Sequence, residues 1–168
     1  IVVASKLGAP GLRIFAGNLS KEPFTWEERA KWIAADIIEC AEFGKEYGVM
    51  LAYQNHYDFA KTAEEVERLL KMINHEWVGL MLDVGSYHSP DPYKDIEATA
   101  KYAITWQMKE KVYVNDDQVD ADYVKIIDIV SKCGYRGYLP LETLGAGDPY
   151  HKVEALYKKV KGILEQDT

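Results

Sequence analysis

Apolar residues in this chain occur in two textures: short unbroken runs, and longer stretches in which they recur every three or four positions. The clearest run is Val78-Gly79-Leu80-Met81-Leu82-Asp83-Val84-Gly85-Ser86, which ends in a carboxylate followed by glycine. Runs of roughly four to eight apolar residues without alternation read as strands buried on both faces, the habit of parallel sheets. Three further runs also end in a polar side chain with an oxygen that could bind a metal: Val49-Met50-Leu51-Ala52-Tyr53-Gln54, Tyr102-Ala103-Ile104-Thr105-Trp106-Gln107 and Tyr138-Leu139-Pro140-Leu141-Glu142. A fifth strand, shorter and bounded by glycines, is read over Gly11-Leu12-Arg13-Ile14-Phe15-Ala16-Gly17.

The periodic stretches lie between the runs. Thr25-Trp26-Glu27-Glu28 is a capping box and opens a helix over 26–47, with Ile33, Ile37 and Ala41 on one stripe and Gly48 as its left-handed stop. Thr62-Ala63-Glu64-Glu65 opens a second, with Val66, Leu69, Leu70 and Ile73 on its apolar face. Further helices are predicted over 1–7, from Pro92 to about Ala100, over 121–133 and over 149–165. The acidic run Asn115-Asp116-Asp117-Gln118-Val119-Asp120 reads as a solvated loop.

Strand and helix thus alternate five times, which implies parallel strands joined by right-handed helical crossovers. A closed (βα)8 barrel needs ~250 residues. Five units in a 168-residue single domain therefore predict an α/β fold of the TIM type, with only the C-terminal five βα units present. A doubly wound open sheet is the alternative, but no G-x-G-x-x-G turn follows any strand. The chain starts at Ile1 in a segment that looks internal, which points to a fragment or to preceding residues.

Composition narrows the partners. A net charge of −7 argues against nucleic acid, because backbone binding draws on clustered Lys and Arg. No apolar run reaches the ~20 residues of a membrane span. Cys40 and Cys133 have no metal-type spacing and read as reduced thiols of a cytoplasm-like compartment. A small molecule is the expected partner; two unpaired sheet edges leave self-association into a homo-oligomer open.

With these strand ends, the chain resembles the sugar phosphate isomerase/epimerase family, the xylose-isomerase-like TIM barrels. Asp83-Val84-Gly85 matches the family's Asp-x-Gly element, and Gly134-Tyr135-Arg136-Gly137-Tyr138-Leu139-Pro140-Leu141-Glu142 matches its final strand. The resemblance implies a divalent metal held by Glu, Asp, His and Glu on successive strands, here at Gln54, Asp83, Gln107 and Glu142. Two positions depart: Gln54-Asn55-His56 stands for Glu-Asn-His, and Gln107-Met108-Lys109-Glu110 for His-x-Lys-Asp. Amide oxygens suit hard cations, so weak binding of Mg²⁺ or Mn²⁺ rather than Zn²⁺ is expected.

The implied reaction is metal-assisted proton abstraction next to the carbonyl of a sugar or keto-sugar, by an isomerase or epimerase. Gln54 cannot be a base, because an amide does not titrate. Glu142 is the expected base, with Lys109 or His56 as second proton carrier; strand parity puts Lys109 inward with Gln107. Arg13, His88 and Tyr57 are candidate substrate contacts, and Tyr53, Tyr57, Tyr87 and Trp26 candidate members of a sugar-stacking wall.

Plainer readings stand beside these. Asp83 caps the next turn, Glu142 is a solvated strand-end charge, and the two glutamines are core amides of a site without metal. A catalytically silent carbohydrate-binding barrel follows from such a set, while Glu142 as base with one acid on the leaving group also suits a lyase or dehydratase on a keto-sugar. The related abasic-site endonucleases need a His-rich metal cluster and a basic face, which four histidines and the negative charge do not provide.

Overall fold

The computed structural model of the chain describes residues 1–18 and 23–166. Strands β1 (Gly11–Ile14), β2 (Met50–Gln54), β3 (Val78–Asp83), β5 (Ala103–Lys109) and β8 (Leu141–Glu142) form a five-stranded parallel sheet in the order β1-β2-β3-β5-β8. Sequence-adjacent units are neighbours in space, as right-handed crossovers require. The sheet curls into half a barrel. Helices α1 (Val2–Lys6), α2 (Trp26–Glu46), α3 (Ala63–Ile73), α4 (Pro92–Thr99), α5 (Tyr123–Lys132) and α6 (Pro149–Leu164) complete the units. Along the outside, α2 packs on α3, α3 on α4, α4 on α5 and α5 on α6.

Local chemistry accounts for the boundaries. The Thr25 hydroxyl accepts from Glu28 N–H while the Glu28 carboxylate accepts from Thr25 N–H, closing the capping box of α2. Asn74, at φ 38°, ends α3 in the left-handed conformation that asparagine tolerates. The next residue, His75, accepts from Trp77 N–H on Nδ1, and its Nε2 lies 3.0 Å from Glu42.

Side chains alternate across the sheet. Leu51, Tyr53, Leu80, Leu82, Trp106 and Met108 point outward and are fully buried under the helices, against Ala30, Val66, Leu69, Ile96 and Ile126. Full burial of each aliphatic side chain among them contributes roughly 1.5–3 kcal/mol. Arg13, Met50, Ala52, Met81, Ile104 and Thr105 line the inner, concave face. There the register between β3 and β5 slips after Leu80, leaving Ile104 unpaired. Its side chain fills the space where Gly79 has no Cβ: a methyl there would stand 2.3 Å from Ile104 Cγ2.

A second sheet was not legible in the apolar pattern. Strand β4 (His88–Ser89) pairs parallel with β6 (Lys111–Val114), and β6 pairs antiparallel with β7 (Asp117–Asp120). The acidic run expected as a loop is thus a hairpin turning at Asn115, φ 55°. The residues of β7 are all exposed, so no apolar alternation marks them. This flap rises directly from the end of β5, with only Glu110 between Lys109 and its first residue, Lys111.

Candidate active site

Asp83 ends β3 and is fully buried. Its backbone is clasped by Asn55, which donates from Nδ2 to the Asp83 carbonyl at 2.9 Å and accepts Asp83 N–H at 2.8 Å. Gly85 N–H donates to Oδ1 at 2.9 Å; Gln54 Nε2 and Ser86 Oγ donate to Oδ2 at 2.6 and 2.9 Å. So many donors fix the orientation of the carboxylate. It does more than cap the next turn.

Register brings the other strand ends to it: Asp83 faces Gln107 across β3 and β5, and Lys109 faces Glu142 across β5 and β8. The Lys109 ammonium sits between the two carboxylates, 2.9 Å from Asp83 Oδ2 and 3.0 Å from Glu142 Oε2. Gln107 Nε2 donates to the same Glu142 oxygen at 2.7 Å. The structure brings Gln54, Asp83, Gln107 and Glu142 together, with Lys109 between them. Burial pushes the ammonium toward losing its proton, but Asp83 and Glu142 outweigh that, so its pKa lies above the ordinary lysine value. Both glutamine Oε1 atoms are buried without a hydrogen-bond donor among the described residues. Such an atom costs about 1–3 kcal/mol and accepts readily from a water or a ligand hydroxyl.

Above this cluster lies a cleft of about 470 Å³, lined by His56, Tyr57, Ser86, Lys109, Tyr113 and Glu142 among others. That volume suits a small ligand. His56 Nδ1 is 2.8 Å from Asp58 Oδ2, and its ring stacks on Tyr57, 4.6 Å between centroids. His88 stands behind the wall: it stacks on Tyr113 at 4.1 Å, and Nδ1 lies 2.9 Å from Asp116 of the flap. Arg13 is not among the lining residues; its guanidinium lies over Phe15, 4.8 Å from the ring centroid, on the concave side of the sheet. Tyr53 and Tyr87 are fully buried, and Trp26 stacks on Phe59, so of the expected stacking wall only Tyr57 faces the cleft.

Several lining residues were not anticipated. Tyr113 and Gln118 come from the flap, and Lys152 comes from α6. Lys152 pairs with Glu110 at 3.2 Å, and the Glu110 carboxylate also accepts Leu144 N–H, which ties the loop after β8 to the end of β5.

The family model described as xylose isomerase-like TIM barrel matches residues 1–165. The chain belongs to this family. Solved xylose isomerase-like structures superpose on nearly all of it. A xylose isomerase domain protein from Planctomyces limnophilus has TM-score 0.78 at 14% identity, covering 97% of this chain and 61% of that one. The 3-keto-D-glucoside 4-epimerase of E. coli has TM-score 0.76 at 11% identity, covering 95% of this chain and 66% of that one. A xylose isomerase-like protein from Mycobacterium smegmatis, solved in complex with magnesium, has TM-score 0.72 at 16% identity, covering 98% and 63%. The chain therefore spans roughly 61–66% of the length of these three relatives. No curated protein sequence matches it. No helix among the described residues is long and apolar enough to cross a membrane.

The magnesium in one relative raises the question of whether these residues fit such an ion. A divalent cation needs lone pairs aimed at one point. Here the point between Asp83 Oδ2 and Glu142 Oε2 is taken by the Lys109 ammonium, and the same two oxygens receive Gln54 and Gln107 N–H groups. The amides thus turn nitrogen, which has no free lone pair, toward the centre. Among the described residues no cluster of three or more His, Cys, Asp or Glu could hold a metal. The donor set in this arrangement does not fit a divalent metal.

Proposed function

We propose that this chain carries the proton-transfer groups of a sugar isomerase or epimerase, acting next to the carbonyl of a small sugar or keto-sugar. The observation behind this reading is an ammonium bridging two strand-end carboxylates at the floor of a small-molecule cleft, with one carboxylate oxygen left open. Asp83 is saturated with donors and serves as a fixed anion. Glu142 takes both of its donors on Oε2, leaving Oε1 without a hydrogen bond among the described residues. That oxygen is the base that removes the proton from the carbon beside the carbonyl.

Lys109 directs its charge at the oxygen of the resulting enediolate; with a pKa above the ordinary value, it stabilises charge rather than surrendering a proton. His56 lines the same cleft and is the candidate proton carrier for a second face. Tyr57 and Tyr113 offer rings to the apolar face of a sugar. Relatives of like fold include an L-ribulose 3-epimerase and a D-allulose 3-epimerase solved with D-allulose, which supports a sugar as the ligand. No metal step enters this reading.

A second reading is favoured by the saturation of Asp83. One open carboxylate gives one base, which together with His56 as the acid that protonates the leaving hydroxyl serves elimination of water from a keto-sugar, whereas epimerisation needs a proton carrier on each face of one carbon. Incubating a panel of ketoses and 3-keto-sugars with the protein in deuterium oxide distinguishes the outcomes by nuclear magnetic resonance. Isomerisation or epimerisation places deuterium on the carbon beside the carbonyl, while elimination consumes the sugar. In either case Glu142→Gln lowers the rate by roughly 10²–10⁴-fold. Turnover that survives this substitution unchanged refutes the assignment.

A further inference from the structure

We propose that the ε-ammonium of Lys109 is the resident cation of this site, standing where the resemblance puts a divalent metal, so that the site holds its charges together without any metal ion. The inference deepens the proposed function, because Lys109 then supplies the positive charge that meets the substrate oxygen. Its own test uses no substrate.

Four observations carry it. The ammonium makes contacts of 2.9 and 3.0 Å with both carboxylates, on the oxygens that would face a shared ion. Glutamine at positions 54 and 107 replaces a carboxylate and an imidazole with groups that can donate, and both do so, to those same oxygens at 2.6 and 2.7 Å. The lysine stem is seated by shape: it passes over Gly85, where a Cβ would stand 2.8 Å from Lys109 Cδ. Its backbone is anchored as well, since the Tyr123 hydroxyl donates to the Lys109 carbonyl.

Charge points the same way. Lys109 is within 3.0 Å of both carboxylates and leaves the pair with one unit of negative charge in place of two. A divalent ion entering the present cluster would meet the ammonium at contact distance and would have to expel it, breaking two charge-assisted hydrogen bonds around a fully buried Asp83. Lysine also stands in the resemblance's own His-x-Lys-Asp element. What differs here is that the flanking ligands have become amides, which leaves the lysine the strongest cation within reach of both carboxylates.

The test is a manganese titration followed by electron paramagnetic resonance, in which bound Mn²⁺ loses its six-line solution signal. With the whole chain, without substrate, the signal is expected to stay undiminished up to about 1 mM Mn²⁺, the range of weak affinity. Lys109→Met frees the two carboxylates and is expected to bind Mn²⁺ at least ~10-fold more tightly, a gain abolished by adding Asp83→Asn. Circular dichroism verifies that the variant is folded; should it not be, Lys109→Gln replaces it under the same criteria. Wild-type protein that binds Mn²⁺ below about 0.1 mM, and loses that binding in Asp83→Asn, overturns the proposal. So does a folded Lys109 variant with no greater affinity than wild type. A failed turnover assay would count against the proposed function alone.

Discussion

Gly85→Ala is the most direct probe of how the site is built, because one methyl group meets two atoms at once. An ideal Cβ at this position lies 2.8 Å from Lys109 Cδ and 2.8 Å from the Lys111 carbonyl oxygen. Ordinary contacts to carbon are about 3.5–4.0 Å, so both neighbours must retreat by roughly 0.7 Å or more. The lysine stem can swing away. The Lys111 oxygen belongs to β6, which is held between β4 and β7, and gives less easily. Overpacking of this kind costs about 1–3 kcal/mol, offset by about 0.4–1 kcal/mol from the stiffer unfolded chain. The net expectation is a destabilisation of about 1–2 kcal/mol in urea titrations and a melting temperature lower by roughly 2–8 °C.

The functional effect should exceed the structural one, since displacing the stem draws the ammonium off Asp83 and Glu142. A shift of ~1 Å in such a group costs on the order of 10²-fold in deuterium exchange. Gly79→Ala is the comparison. Its Cβ would strike Ile104 Cγ2 at 2.3 Å, so it disturbs packing on the concave face without touching Lys109. Gly85→Ala protein within about 0.5 kcal/mol of wild type, with undiminished exchange, would refute the idea that Gly85 exists to seat the lysine.

Other consequences are accessible to simpler assays. Asn55→Ala strips partners from both the N–H and the C=O of buried Asp83 and is expected to cost about 2–5 kcal/mol in urea unfolding; a loss below about 1 kcal/mol would show that water replaces the clasp. The raised pKa of Lys109 makes a signed prediction about alkali. Its stabilising contribution is complete below the ordinary lysine pKa of about 10.4 and is lost as pH rises through the higher folded-state value. Wild type should therefore lose more stability than Lys109→Met above about pH 10.5, as read by denaturant titration at a series of pH values. Parallel curves would contradict the pairing.

Periodicity and strand-end chemistry carried much of this molecule in the sequence alone. Unbroken apolar runs identified four of the five parallel strands because helices bury the outward side chains while Ala52, Met81 and Ile104 keep the half-covered concave side apolar too; the first was marked by its bounding glycines. The capping boxes at Thr25 and Thr62 located the starts of α2 and α3, since those signals are local to four residues. Gln54, Asp83, Gln107 and Glu142 were legible as one group because equivalent ends of parallel strands must lie on one rim.

The rest was decided in three dimensions. The flap of β6 and β7 is exposed along one strand, so no alternation marks it, and Tyr113 and Gln118 enter the cleft from an element that local pattern does not reveal. Tyr53 and Tyr87 look like sugar-binding rings in one dimension, yet strand parity and helix packing bury them. Above all, the order of residues names a lysine two positions from a strand-end glutamine, but not where its flexible stem goes. Only the gap above Gly85 and the register that sets Lys109 opposite Glu142 bring that ammonium between the two carboxylates, because long-range placement of a four-carbon side chain depends on what neighbouring strands leave open.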